Sequence, residues 1–215
     1  FRGIDQIHRR TKRIHPNCNI EKSNIDKIFF DKTFDSTIII VGRFPAFLSN
    51  MGFNNLEGGV ERDWDGDIKL RYPFKKSEII DSFNNFVESL LKNNNKIILV
   101  YPIPEVGFEP AKEILKMYID NPNKYLNGGF NYMHNTSYDV YKKRTKKTFE
   151  LFDNIKSDNI SRVYPHKLFC DNFVKGRCIT HDDNNIFYCD NDHPSLAGAE
   201  MINNLILDKI NNLKE

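Results

Sequence analysis

An aspartate stands three residues before a histidine in the segment Tyr188-Cys189-Asp190-Asn191-Asp192-His193-Pro194-Ser195. Such a pair can serve nucleophilic catalysis. The imidazole of His193 would take a proton from a hydroxyl as general base. The carboxylate of Asp190 would accept from the other ring nitrogen and so fix the tautomer. Taken alone, the pattern also fits an N-capping aspartate beside an incidental histidine. A metal reading would draw on Asp190, Asp192, His193, His181, Asp182 and Asp183, but loop residues do not dictate a ligand geometry. The expectation is no metal and no cofactor.

These side chains need a frame. Thr37 to Val41 is a continuous β-branched apolar run between Asp35-Ser36 and Gly42. A run apolar at every position suits a strand buried on both faces. Lys96 to Tyr101 reads as a second such strand, stopped by Pro102 and Pro104, and Arg162 to Leu168 as a third, limited by Pro165. Between them run helical patterns. A short helix is expected from Ile20 to Lys32. Another is capped by Ser77 and ended by Asn93-Asn94-Asn95. A third spans Pro110 to Ile119, and a fourth is capped by Ser137. Pro194 suits the first turn of a C-terminal helix carrying Leu196, Ala199, Ile202, Leu205, Ile206, Ile210 and Leu213. Alternating buried strands and helices predict a parallel sheet with helices on both faces. Reactive groups then gather at the carboxyl ends of the strands. Three segments fall there: Gly42 to Pro45, Pro102 to Glu109, and the loop before the last helix.

The chain has 215 residues, fitting one α/β domain, and 40% hydrophobic residues, enough for a core. A net charge of +2, with its dense basic cluster confined to residues 9–13, argues against a nucleic-acid partner. No stretch approaches about 18 apolar residues, so nothing in it reads as a membrane span. The chain opens on Phe1, and the expectation is a fragment cut from something longer. Among four cysteines, Cys170 and Cys178 flank a polar loop containing Gly176. They either close a small disulfide hairpin in an oxidising compartment or remain two separate thiols. Cys18 and Cys189 could pair with each other, stay free, or bond elsewhere.

Four blocks carry a family resemblance. Asp190 to Ala199 resembles the last block of SGNH hydrolases, closest to the D-x-D-H-L-S-x-x-G-A version fused to acyltransferase-3 membrane domains. Ile39 to Pro45 resembles that subfamily's strand ending in a small-small-Arg-Trp run. Asn54 to Glu61, with Gly58-Gly59-Val60-Glu61, resembles its Gly-rich loop. Val100 to Gly107 resembles its P-x-P-E-x-G block, and the Cys170 and Cys178 pair also fits. The resemblance spans about residues 18–205.

The resemblance implies an SGNH/flavodoxin-like three-layer α/β/α fold with a parallel sheet. It implies that His193 is the base and Asp190 its orienting partner in a Ser-His-Asp arrangement. The family's Gly-Asp-Ser block does not occur here. Ser49 and Ser195 are the nearest serines, and neither follows a strand in that context. The expectation is therefore a single SGNH-like domain over 1–215, N-terminally truncated. It would lack its first strand and nucleophile and be inactive by itself. Arg43 takes the place where SGNH enzymes carry an oxyanion-hole Asn. With Gly42 and Gly59 it is expected to bind an oxyanion or substrate, or else to form a structural ion pair with Glu61 or Glu57. The resemblance further implies an O-acyltransferase, most often O-acetyl, acting on a cell-surface polysaccharide. The acyl donor would come from an acyltransferase-3 membrane domain of the same polypeptide, and the glycan is the acceptor. The location would be periplasmic, on an inner-membrane protein. Two rivals remain: a carbohydrate esterase using the same residues, and a glycan-binding domain without catalysis.

Weaker patterns add little. Asp63 to Asp67 has its Gly too early for a calcium loop. Trp64, Phe44 and Tyr72 could stack on a sugar or lie buried under the long loop. Asn135-Thr136-Ser137 and Asn159-Ile160-Ser161 match the glycosylation sequon.

Overall fold

The computed structural model describes residues 33–62, 66–70, 75–120, 122–123 and 134–213. The central sheet has strands β1 (Thr37–Ile40), β2 (Lys96–Val100) and β4 (Ile160–Val163) in the order β1-β2-β4, all parallel. The register pairs Ile39 with Ile98 and Val100 with Val163. Helices α1 (Phe44–Ser49) and α2 (Lys76–Lys92) lie between β1 and β2, and α3 (Pro110–Asp120) and α4 (Tyr138–Asp153) between β2 and β4. A second, two-stranded antiparallel sheet pairs β3 (Asn135–Ser137) with β5 (Arg177–Ile179). The short α5 (His166–Phe169) and the last helix α6 (Leu196–Asn212) complete the described elements.

Alternation along the strands sorts the core into layers. On one face Ile40, Ile97, Leu99 and Tyr101 pack with Phe83, Val87 and Leu90 of α2 and with Leu151 and Phe152 of α4. On the other, Ile98, Val100 and Val163 pack under Leu205, Ile206, Ile210 and Leu213 of α6. This is the expected three-layer arrangement. The rings of Phe44 and Phe83 meet Phe152 at 5.0 and 5.3 Å, so Phe44 is core and offers no face to a sugar. Trp64 and Tyr72 lie outside the described residues, as do Cys18 and the expected helix at 20–32.

Burial on both faces holds for β2 but not for β1. Ile39 is 44% exposed and Val41 59%. The cause is position: α6 covers β2 and β4, whereas β1 is an edge of the described sheet.

Several boundaries differ from the sequence expectation. The helix expected from Ser77 begins at Lys76, where the Glu78 carboxylate accepts from the Lys75 amide at 3.1 Å. The third strand runs Ile160–Val163 rather than Arg162–Leu168, because Pro165, at φ −58°, opens a helical turn. Pro194 precedes the cap of α6, and Ser195 is the capping residue. The asparagine run after α2 does more than end it. The buried Asn95 side chain donates to the carbonyls of Leu90 and Thr33, both at 2.9 Å, and accepts from the Ser36 amide at 3.0 Å. One side chain thus ties the end of α2 to the entry of β1.

Candidate functional site

The loop Tyr188–Ser195 sits at the carboxyl edge of the sheet and is built to hold one shape. The Cys189 amide donates to the His193 carbonyl at 2.9 Å, closing the loop, and the Ser195 amide donates to Phe187 at 2.8 Å. The Ser195 hydroxyl donates to the Ile186 carbonyl at 2.5 Å and accepts from the Gly198 amide at 3.2 Å, capping α6. A Cβ at position 198 would lie 2.2 Å from the Phe187 carbonyl oxygen, so only glycine lets the helix start so close to the strand-like segment behind it. From the side, the amides of Val106 and Gly107 both donate to the Asn191 carbonyl, at 2.9 and 3.1 Å. The second and third segments expected at the sheet edge therefore touch.

Within this loop Asp190 is not the helix cap, which is Ser195, but binds two backbone amides and the His193 ring. One carboxylate oxygen, Oδ1, accepts from the amides of Asp192 and His193 at 3.0 and 2.8 Å. The carboxylate also receives Nδ1 of His193, with Oδ2 at 2.8 Å and Oδ1 at 3.1 Å. The imidazole faces outward, its side chain 72% exposed. Among the described residues no group hydrogen-bonds its Nε2. The bond from Asp190, aided by the nearby Asp192 charge, holds the imidazole pKa above its ordinary value. Burial pushes the Asp190 carboxyl up, but the two backbone amides and the ring outweigh it and the net shift is downward. Asp190 thus stays ionised while the ring remains a stronger base than a free histidine.

Arg43 takes one of the two arrangements the sequence allowed. It follows β1 and turns inward over the sheet edge. Its Nε and Nη2 donate to Glu105 Oε1 at 2.7 and 2.5 Å, and Nη1 donates to Glu61 Oε1 at 2.7 Å. Nη2 also bonds Glu61 Oε2, and Nη1 lies 3.0 Å from Asp192 Oδ2. Burial opposes this charge, but Glu61, Glu105 and Asp192 more than compensate and bind its proton tighter than usual. With its donors aimed at three carboxylates, Arg43 has no free fork for an oxyanion. Of the two sequence alternatives the ion pair holds, with Glu61 and not Glu57. Glu57 instead takes Arg177, at 2.5 and 2.7 Å.

The glycines sort likewise. The Gly59 amide is spent on Asn55 Oδ1 at 2.8 Å. A Cβ there would sit 2.7 Å from the Gly107 carbonyl oxygen, so Gly59 is a close packing contact between two loops. Gly42 is exposed after β1, and a Cβ there would meet only the Phe44 ring, at 3.2 Å.

Two residues that sequence reading passed over complete the cluster. Glu105, its side chain 5% exposed, binds Arg144 Nε through Oε2 at 2.6 Å. Arg144 also reaches the Ser49 hydroxyl at 2.8 Å and the Met51 carbonyl at 3.0 Å. Glu105 lay in the P-x-P-E block without a role. Arg144 falls on the stripe of α4 shared with the buried Tyr141, Thr145 and Thr148, unlike the exposed Lys142 and Lys143. That spacing was the available signal.

Asp190, Asp192 and His193 could also offer ligand atoms to an ion, all within 4.8 Å of one another. Asp190 is committed to two amides and the ring, and Asp192 has Arg43 Nη1 at 3.0 Å, so both carboxylates already have partners. Beside Asp190 opens a cavity of about 360 Å³ lined by Val60, Phe108, Glu109, Lys112 and Glu113, with Lys112 and Glu109 paired at 2.6 Å. Of the two readings of the hairpin the disulfide holds: Cys170 and Cys178 are bonded, and the exposed Cys189 has no disulfide partner among the described residues. No helix of the described residues is long and apolar enough to cross a membrane.

The chain matches, over residues 4–208, the family model described as the SGNH domain fused to AT3 domains. No curated protein matches it. Among solved structures, the lipopolysaccharide acetyltransferase periplasmic domain of Salmonella ser. Paratyphi A is similar at 14% identity. It covers 88% of each chain, with a TM-score of 0.47.

Proposed function

The chain belongs to the SGNH domains found fused to AT3 domains, and from that premise we propose that it is an O-acyltransferase domain acting on a cell-surface polysaccharide. Its mechanism is serine acylation with His193 as base and Asp190 as orienting partner. The acyl group, in the first instance acetyl, is handed over by an AT3 membrane domain. The observation that carries the reading is the outward-facing imidazole whose Nδ1 is held by Asp190 at 2.8 Å. That arrangement places the proton on Nδ1 and leaves Nε2 to accept from a hydroxyl.

The serine comes from chain outside the described residues. Ser49 donates to the Pro45 carbonyl at 2.7 Å and Ser195 to the Ile186 carbonyl, so both hydroxyls are spent on structure. The edge of β1, with Ile39 and Val41 exposed, offers a place for one more parallel strand. Such a strand would end beside Arg43, which is itself 3.0 Å from the loop that bears His193. The disulfide supports an oxidising, extracytoplasmic compartment. The cavity beside Asp190, with carboxylates to accept from hydroxyls and Phe108 at its wall, supports a glycan acceptor.

The test is acetyl transfer to an oligosaccharide acceptor by the intact protein with its membrane domain. His193→Ala should abolish product without unfolding the domain; undiminished product refutes the assignment. Hydrolysis by the same residues is the second reading, favoured by the exposure of His193, which water reaches as freely as a sugar does. Free acetate exceeding acetylated glycan at saturating acceptor would select it.

A further inference from the structure

Asp192 is the second carboxylate at His193. Its Oδ1 lies 3.2 Å from Nδ1, beside the Asp190 oxygen at 2.8 Å. Its Oδ2 lies 3.0 Å from Arg43 Nη1. Asp192 is nearly buried, and its neighbours account for its charge: Asp190 and His193 on its own loop, Arg43 after β1, and Glu61 on the Gly-rich loop. Arg43 in turn is locked by Glu61 and by Glu105, and Glu105 is held from the far side by Arg144 of α4. The Glu61 carboxylate is fixed further by the Phe53 amide at 2.9 Å. The cluster thus runs without a break from α4 through the edge of the sheet to the imidazole.

We infer that Asp192 and Arg43 are positioning residues for His193, with Asp192 sharing Nδ1 with Asp190 and Arg43 anchoring Asp192 to the sheet. This rests on the reading of His193 as the base and deepens it. Two carboxylates converging on one ring nitrogen leave the ring a single good orientation, with its proton on Nδ1. Asp190 belongs to the same loop and moves with the ring, and the loop's backbone ties to Val106 and Gly107 hold the Asn191 carbonyl rather than the imidazole. Asp192 supplies the external reference, since its partner Arg43 is bonded to a different strand's exit. The guanidinium also fixes the outer oxygen of Asp192, 3.0 Å away, while the other oxygen faces the ring. Burial raises the Asp192 carboxyl, an effect Arg43 and His193 only partly offset. An Asp192 without its arginine would therefore protonate sooner and let go of the ring.

The test is a pH titration of the histidine side chains by ¹⁵N NMR, on the folded chain, for the parent, Asp192→Asn and Arg43→Lys. In the parent, neutral His193 should carry its proton on Nδ1. Asp192→Asn should lower the His193 midpoint by about half a pH unit or more, through loss of a facing charge, and should populate the Nε2–H tautomer. Asp192 lies on a loop, so this variant folds if the loop is held as described, and a parent-like spectrum in both respects overturns the inference. Arg43→Lys keeps the charge but not the fork. It should disturb the His193 resonances as well as turnover. Turnover lost with an unchanged His193 spectrum would return Arg43 to direct contact with substrate and overturn its half of the inference. The His193 spectra are independent of acyl transfer, and turnover is read separately on the intact protein with its membrane domain. Failure of His193→Ala to reduce product would sink the base assignment whatever the spectra show.

Discussion

Two histidines of this chain occupy opposite environments. His193 stands on an exposed loop with carboxylates at Nδ1, and its pKa is raised. His166 begins α5 inside a box of rings: Tyr141 at 5.3 Å, Phe149 at 5.6 Å, Tyr164 at 6.0 Å and Tyr138 at 6.2 Å. It is buried, its Nδ1 has no hydrogen-bond partner, and burial, helped by the neighbouring Lys167 charge, pushes its pKa down to about 4. The same side chain is exposed and carboxylate-held in one place and a buried, neutral aromatic spacer in the other. What separates them is the supply of carboxylates and the access of water, neither of which is written in the residue type.

The comparison is broken most readily by exchanging the two residues' fates. His193→Ala should lower acyl transfer by about 10²- to 10⁴-fold, the usual worth of a general base, whereas His166→Phe should leave it unchanged in an initial-rate assay. Equal losses in both variants would mean that neither environment had been read correctly.

The next effect concerns the cluster behind the loop. Glu105→Ala takes from Arg144 the carboxylate it binds, while Arg43 keeps Glu61 and Asp192. Removing one partner of a buried pair costs about 3–5 kcal/mol, so denaturant unfolding should show a loss of that order and transfer should fall with it. A loss within experimental error would show that the loop stands without its charged support.

The hairpin next to the ring box sets a smaller effect. Cys178→Ser opens the loop between residues 170 and 178, and loop-closure entropy for that length is worth about 2.5 kcal/mol. Unfolding in the parent with and without reductant should differ by a similar amount, and thiol titration of the unreduced protein should find the pair blocked.

The smallest effect is a slope. The folded pKa of His166 lies below its unfolded value of 6.5, so the unfolded chain binds a proton that the folded chain refuses. Its contribution is intact above about pH 6.5 and is lost progressively as pH falls toward 4. His166→Phe should flatten stability across that window. His193 has the opposite sign: its raised pKa gives stability present below 6.5 and lost as pH rises through the folded value. Thermal unfolding of the two variants against pH should diverge in those two directions.

Much of this was legible in the chain itself. β-Branched runs at 37–41 and 96–101 located two strands of the sheet, and the helical stripe from Leu196 onward located the helix whose entry carries the histidine. The Asp190–His193 contact was among the readings of the DxxH spacing because both residues lie in one tight loop, where sequence distance and spatial distance agree, though the spacing alone fitted a capping aspartate as well. Of the cluster around Arg43 only the pairing with Glu61 was among the sequence alternatives; Glu105, Arg144 and Asp192 come from separate segments and meet it only when the sheet edge assembles. The exposure of β1 was missed for a related reason. An all-apolar run states that both faces can be buried, while its place at an edge decides whether they are. The small β3–β5 sheet, three residues a side, is too short to leave a periodic signal.

The most direct test of the central claim is to trap the nucleophile. Treating the intact protein with a serine-directed phosphonate and mapping the adduct by mass spectrometry should find one modified serine, outside the described residues, and no adduct in His193→Ala. Modification of Ser49 or Ser195, or an adduct formed as readily without the imidazole of His193, would contradict it.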